Sequence, residues 1–473
     1  MHVFPVRVLV PQEALVEGGI TVGILKKVKS VVGKASKTPA GLYSYRGKGK
    51  FAGLALQLRV ESGGEGLLVI NANTVLYLNE TATAHAYFFM QGMPTEEAVK
   101  RVRRIYRIEE KVARRDHERI IYTISTLAET EEVCPISFLD VEQAEPFTQE
   151  LSAPIRMDLA LTFRCQNNCI HCYTGGSHKT PELATDEWKR VIDRLKEIGV
   201  FIFTFTGGEP TLREDLPELL QYAQEKGIVT GLITNGRRLR DKKYVQRLVD
   251  AGLDFVQITL ESHDPKIHDS ITSVKGSWRE TVEGIKNAIP TPIYTTTNTT
   301  LNKYNADSFL ETIEFLHGLE LKVFGCNSLI YSGSAPSVAN EFALTIDELR
   351  SLLPKILIKA NELGMKFMWY TPTQYCQLDP VSLGLGVKSC TAARVNMCVG
   401  PEGQVYPCQS YFESVGNILK DSWKKIWNHP LSLSLRAREY APEKCKECPQ
   451  LPVCGGGCPL ELKETKYICA ETQ

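Results

Sequence analysis

Cys165, Cys169 and Cys172 stand in a C-x3-C-x2-C spacing inside the stretch RCQNNCIHCY. Three thiolates are one short of the four ligands that close a structural zinc site, which would have to recruit His171 or a distant residue. They suit an iron–sulfur cube better, because a cube held by three cysteines keeps one iron open to a substrate or cofactor. A second concentration lies near the C-terminus. Cys390 is followed by twelve residues, Gly403, four residues and Cys408; then come Cys445, Cys448, Cys454 and Cys458 in C-x2-C-x5-C-x3-C spacing, and finally Cys469. Cys398 lies inside the first of these loops. Pairs of C-x2-C also bind zinc, so two zinc knuckles are the competing reading. Eleven of the fourteen cysteines fall into these two groups, and the isolated Cys134, Cys326 and Cys376 read as core or inert thiols.

The elements that must hold these residues can be traced from periodicity. Strand-like runs read MDLALTF (157–163), VFIFTFT (200–206), VTGLIT (229–234), DFVQITL (254–260), IYTTTN (293–298) and KVFGCNSLI (322–330). Amphipathic segments such as DEWKRVIDRLKEIG and LPELLQYAQEKG alternate with them. Six such repeats predict an α/β fold with a partial (βα)6 barrel of the TIM type over 153–375, in which chemistry sits at the C-terminal ends of the strands. The first cysteine loop directly follows the first strand, and Gly207, Gly208, Glu209 and Pro210 close the second. From Cys390 onward cysteine, Gly and Pro set the pattern, so 376–473 is expected to be a small metal-stapled domain.

Composition bounds what remains. A chain of 473 residues exceeds what one core usually serves, and predicts two or three domains. Lys plus Arg and Asp plus Glu both number 55, so no strong overall field draws nucleic acid or an anionic membrane. Residues 1–60 nevertheless hold ten Lys or Arg against two Glu. No apolar run reaches the roughly 18 residues of a membrane span, and the N-terminus lacks the order of a secretory signal. A cytoplasmic, reducing setting follows, in which clustered cysteines are ligands or reactive thiols rather than disulfides. Within the first third, 1–54 is an unassigned basic segment. Two strand-like runs, FAGLALQLRV and LLVINANTVLYL, then lead into three helical stretches, a winged-helix-like unit over 55–130. A polar linker over 131–152 precedes the barrel.

The cysteine loop after a strand, together with the Gly207–Pro210 turn after the next, resembles the radical S-adenosylmethionine superfamily. The resemblance implies a [4Fe-4S] cluster whose open iron chelates S-adenosylmethionine, and reductive cleavage of that cofactor to a 5'-deoxyadenosyl radical. It places the Gly207, Gly208, Glu209, Pro210 turn at the methionyl ammonium and His171 beside the adenine. Asn235 in LITNG, Thr259 in TLES, Asn298 and Gly333 fall where later strands meet the cofactor. Glu261 stands where the family more often has Asp before Gly, and reads either as a functional carboxylate or as a solvated strand end. Thr272 replaces an Arg that many relatives carry.

The second cysteine group resembles the SPASM extension of the same superfamily, implying two auxiliary [4Fe-4S] clusters. By that resemblance Cys445, Cys448, Cys454 and Cys469 hold the outer one, and Cys390, Cys408 and Cys458 the inner one. Cys398 is either its fourth ligand or a buried free thiol. Residues 55–130 resemble the PqqD-like RiPP recognition element, which binds a leader peptide as an added strand beside its third helix. Arg114, Arg115, His117 and Arg119 would then form a basic rim, or else a solvated helix face. The combination implies a radical maturase of a ribosomally made peptide, installing a thioether or carbon cross-link. Its partners would be a precursor peptide with a leader and reduced ferredoxin or flavodoxin, with no nucleic acid and no membrane. The rivals are a haem- or other cofactor-maturing SPASM enzyme, a formylglycine-type maturase, which typically has an acid where this chain has Gln409, and a non-catalytic electron carrier or peptide-binding module.

Overall fold

The computed structural model describes residues 38–71, 74–129 and 151–465, with the backbone of Val6–Val8 and Glu142–Gln143. Cys134 and Cys469 lie outside the described residues. The chain divides into two compact units, Met1–Glu150 and Leu151–Gln473.

The first unit is built on a sheet of strands β1 (Val6–Val8), β2 (Gly41–Arg46), β3 (Ala55–Val60), β4 (Gly66–Ile70), β5 (Thr74–Leu78) and β6 (Glu142–Gln143), ordered β2-β3-β4-β5-β1-β6. The strands β2 to β5 pair antiparallel, and β1 joins the outer edge of β5 in parallel. The apolar run LLVINANTVLYL, expected as one strand, is two. Asn71 breaks it in a left-handed conformation (φ 49°), and its side chain accepts the Ala55 N–H at 2.8 Å. Asn tolerates that region because its short polar side chain bonds locally. Helices α1 (Glu80–Met90), α2 (Thr95–Tyr106) and α3 (Glu110–Glu129) follow. Asn79 caps α1 by accepting the Ala82 N–H at 2.9 Å. Ala82, Ala86 and Phe89 of α1 and Ile120, Ile124 and Leu127 of α3 pack on Leu56, Leu58, Leu68 and Leu76 of the sheet.

The charges expected to rim α3 are mostly committed elsewhere. Arg114 forms a two-pronged pair with Glu96 at 2.6 and 2.5 Å, and Arg115 pairs with Asp116. His117 is 1% exposed and belongs to the core, its Nδ1 lying 3.2 Å from Nδ1 of His85.

The second unit is a ten-stranded sheet. Strands β7 (Arg156–Thr162), β8 (Ile202–Gly207), β9 (Val229–Thr234), β10 (Phe255–Thr259), β11 (Tyr294–Thr300), β12 (Val323–Asn327) and β13 (Lys366–Trp369) run parallel in sequence order. The four-residue β13 was too short to register as a repeat. Helices cross over between the strands, for example Thr185–Ile198, which ends at Gly199 (φ 97°). Strand β14 (Asn396–Val399) then adds in parallel to the free side of β7, and β15 (Gln404–Tyr406) and β16 (Gly416–Asn417) extend it antiparallel. The C-terminal cysteine segment is thus continuous with the sheet. Short helices carry the remaining cysteines, among them Glu443–Lys446 and Leu451–Cys454.

The buried imidazole pair makes the first unit acid-sensitive. Burial, with the His117 charge adding, pushes His85 down to about 3, and burial lowers His117, whereas an unfolded imidazole titrates near ~6.5. Below ~6.5 the unfolded chain therefore binds more protons, and stability falls as pH falls, by at most about 1.4 kcal/mol per pH unit for each histidine. Hydrogen-exchange mass spectrometry of α1 and α3, corrected for intrinsic rates, is expected to show faster opening at pH 5 than at pH 7. The double replacement His85→Leu, His117→Leu should flatten that dependence; an unchanged slope would contradict the assignment.

Candidate active site

The first cysteine loop leaves the C-terminal end of β7 and is pinned by backbone bonds. Asn168 and Ile170 N–H donate to the Thr272 and Ile271 carbonyls at 3.0 Å each, and Ser177 Oγ accepts the Cys165 N–H at 2.9 Å. The Asn167 N–H donates to Cys165 Sγ at 3.4 Å, and Cys172 Sγ lies 3.1 Å from Thr174 Oγ1. Burial pushes the Cys165 thiol up to about 12, with the Glu209 charge adding. Burial likewise holds Cys169 well above its usual value, helped by Glu261 and by the other two cysteines. Thiols so raised are poor nucleophiles, but a cationic cluster reverses the penalty and takes them as thiolates. Among the described residues no three Cys, His, Asp or Glu side chains converge on one ion position. A cube asks for less, since each cysteine binds its own iron. The donor set fits.

The Gly207–Pro210 turn presses against this loop. A Cβ on Gly207 (φ 136°) would lie 2.1 Å from the Thr162 carbonyl oxygen, and one on Gly208 2.4 Å from that of Arg164. Only glycine allows the approach. The Glu209 carboxylate is fully buried and accepts four hydrogen bonds. Oε1 takes the Thr211 N–H (3.0 Å), the Thr211 hydroxyl (2.6 Å) and the Thr234 hydroxyl (2.7 Å), and Oε2 takes the Asn235 N–H (2.8 Å). Burial still pushes this carboxyl up despite those bonds. Pro210 is buried and opens the short turn Pro210–Leu212. What the turn presents outward is therefore backbone rather than the Glu209 carboxylate.

His171 stacks on Phe342 with ring centroids 4.9 Å apart, and its Nε2 lies 3.4 Å from Glu261 Oε1. Glu261 is 1% exposed, which removes the solvated reading of this carboxylate. Thr259 ends β10 opposite Asn298 of β11, and Asn298 Nδ2 donates to Asn327 Oδ1 at 2.7 Å. Asn298 Oδ1 is buried without a hydrogen-bond partner. Gly333 packs on the Cys172 carbonyl, where a Cβ would come within 2.4 Å. Asn235 turns its side chain to Cys165 and Gln166. Asn327 and Thr211 were not anticipated, their only signal being a polar residue close to a strand end, whereas Thr234 belongs to the LITNG stretch already singled out. Thr272, in place of an Arg, is buried and bonds Ser277 Oγ at 2.6 Å.

The C-terminal cysteines sort by their mutual electrostatics. Burial raises Cys390, Cys408 and Cys458 to about 12 each, and each is pushed further by one of the other two. Cys398, on β14 opposite Asp158 of β7, is 1% exposed and packs with Ala160, Phe163 and Tyr406. Burial holds its thiol well above the usual value, and the charges of Asp158 and Cys408 add. Cys445 is raised by burial and by Cys454 and Cys448. Cys454 Sγ accepts the Tyr375 N–H at 3.4 Å. Cys376, expected as an inert thiol, is disulfide-bonded; Cys326 is a fully buried core thiol.

Replacing Glu209 with Ala would leave four donors unpaired, and is expected to cost at least about 3 kcal/mol, read from the denaturation midpoint of the apoprotein. Gly208→Ala should displace the cysteine loop and more than halve the iron bound there after reconstitution. Full iron content with unchanged stability in both variants would contradict this account of the turn.

Comparison with known proteins follows the same division. Residues 159–316 match the Radical SAM superfamily, and residues 390–449 match SPASM, an iron-sulfur cluster-binding domain. A PqqA peptide cyclase of Rhizobium meliloti (strain 1021) is 28% identical over 316 residues, covering 64% of this chain and 82% of its own. Fe-coproporphyrin III synthase of Methanosarcina barkeri is 27% identical over 328 residues, covering 63% of this chain and 81% of its own. The mycofactocin maturase MftC of Mycolicibacterium smegmatis is 28% identical over 328 residues, covering 66% and 80%. The crystal structure of Streptococcus suis SuiB bound to its precursor peptide SuiA superposes with a TM-score of 0.63 at 18% identity, over 87% of this chain and 95% of that one. At that identity the likeness is one of fold. The chain accordingly carries a radical SAM domain followed by a SPASM iron–sulfur cluster-binding domain, and it is an enzyme.

Proposed function

We propose that this enzyme is a peptide maturase that cross-links a ribosomally made precursor. The observation that carries the reading is that the segments bearing the two cysteine sets leave neighbouring strands of one sheet. Strand β14 pairs with β7, the loop after Cys408 is tied to the loop after β12 by Ser332 Oγ donating to the Ser410 carbonyl at 2.7 Å, and Phe412 stacks on Tyr173, centroids 6.5 Å apart. A substrate held between them would have a radical-generating centre on one side and an electron acceptor on the other.

Cys165, Cys169 and Cys172 would hold a [4Fe-4S] cluster which, with S-adenosylmethionine, supplies one-electron chemistry able to take a hydrogen atom from an unactivated carbon. The chain's own residues orient that chemistry. Gly207 and Gly208 open backbone room, Pro210 and the Glu209 bonds keep the turn rigid, and His171, Thr259 and Asn298 line the strand ends. Cys390, Cys408 and Cys458, with Cys398 as fourth ligand, would hold the inner auxiliary cluster. Cys445, Cys448 and Cys454, with Cys469, would hold the outer one, reached by a ferredoxin or flavodoxin through the exposed Cys448. The first unit, four antiparallel strands leading into three helices, is read as a PqqD-like leader-binding element that raises the local concentration of the peptide core. Two relatives are named a peptide cyclase and a maturase, and SuiB was solved with its precursor peptide. The SuiB superposition covers 87% of the chain, more than the second unit alone contains. A cofactor-maturing reading draws on Fe-coproporphyrin III synthase, whose similarity spans 63% of the chain. The peptide reading alone gives the first unit a role.

The test is anaerobic reconstitution with iron and sulfide, an iron count, and an assay for 5'-deoxyadenosine after dithionite reduction. About twelve irons are expected. Replacing Cys165, Cys169 and Cys172 together with Ala should remove about four irons and all deoxyadenosine. Replacing Cys445, Cys448 and Cys454 should remove about four irons elsewhere. Bound zinc with no deoxyadenosine would sink the reading, and a precursor that reacts equally well without its leader would sink the role of the first unit.

A further inference from the structure

We propose that Asn235 is a positioning residue that sets the electron affinity of the cluster at Cys165, Cys169 and Cys172 by donating its side-chain amide to the Cys165 sulfur. The inference rests on the reading that this loop holds an iron–sulfur cluster. By resemblance Asn235 was expected to meet the cofactor; its hydrogen bonds also aim its amide at a cluster ligand.

Asn235 is held from every side. Its N–H donates to Glu209 Oε2 at 2.8 Å and its carbonyl accepts the Thr281 hydroxyl at 2.8 Å, which fixes the main chain. Its side-chain Oδ1 accepts two donors, Gln166 Nε2 at 3.3 Å and the Arg237 N–H at 3.1 Å. Two donors on one end of a carboxamide decide which end is oxygen, so the amide orientation is not free. Nδ2 is thereby turned to Cys165 Sγ, 3.9 Å away.

The Cys165 sulfur accepts two hydrogen bonds, one from the Asn235 amide and one from the Asn167 N–H at 3.4 Å, and both favour negative charge on it. Reduction adds an electron whose charge is shared with the thiolate ligands, and hydrogen bonds to those sulfurs raise the potential. Asn235 thus joins the rigid turn to the cluster ligand, its main-chain N–H bound to Glu209 and its side chain to Cys165. Gln166, next to Cys165 in the chain, orients the Asn235 amide, and its own Oε1 also lies 4.0 Å from the Cys165 sulfur.

The test is a redox titration followed by electron paramagnetic resonance on the reconstituted full chain, with no substrate present. The signal of the first loop is identified by its change when S-adenosylmethionine is added. At the potential where the unaltered protein is half reduced, Asn235→Ala is expected to lower the reduced-to-oxidised ratio roughly tenfold, which is about 59 mV for a one-electron couple. Asn235→Asp, which keeps the acceptor and loses the donor, should go further. The auxiliary signals should stay in place in both variants. A midpoint unchanged in both Asn235→Ala and Asn235→Asp overturns the proposal; if Asn235→Ala takes up no cluster, the near-isosteric Asn235→Asp decides. If the unaltered protein binds no iron at this loop, the proposed function fails with it, whereas a cluster with coincident midpoints removes only the role of Asn235.

Discussion

The buried Glu209 carboxylate and its four hydrogen bonds are the constraint on which the site depends. They lock the end of β8 to the end of β9, and through Asn235 and Gln166 they reach the first cysteine. A carboxylate removed from water is costly unless its lone pairs are filled, and here every donor comes from the segment that must be held. Gly207 and Gly208 complete the arrangement, because their bare backbone lets the turn lie against the carbonyls of Thr162 and Arg164. The loop that carries the thiols is thus positioned by hydrogen bonds and close backbone contact, not by the thiols themselves.

The second dependence is the pairing of β14 with β7. Without it the C-terminal cysteines would hang on a linker, and their distance from the first loop would fluctuate. Parallel pairing makes the separation a property of the sheet. The aromatic contacts of Phe412 with Tyr173, Phe163 and Tyr406 add to this junction. On the proposed function, electron transfer between two centres would need such a fixed separation.

The first unit shows how far a charge pattern alone can mislead. The basic residues of α3 looked available, yet Arg114 neutralises Glu96 across to α2 and His117 is buried against His85.

The sequence by itself determined the cysteine spacings, the glycine pair of the turn and the parallel strands, six of which lie within a few residues of where periodicity put them. These are local properties: a ligand spacing, a missing Cβ and an alternation of apolar residues act over a few positions. The sequence missed β13 and the break at Asn71, because four residues are too few for a period and a left-handed asparagine leaves the apolar run intact. Only the tertiary structure decided that Glu261 is buried beside His171 and that Asn235 points at Cys165. It alone decided that Glu209 faces protein donors and that Cys398 sits in a strand of the main sheet. The partners that settle those matters lie far along the chain, 26 residues from Glu209 to Asn235 and 70 from Asn235 to Cys165. What a polar side chain does is set by which distant segments the packing of the sheet brings to it.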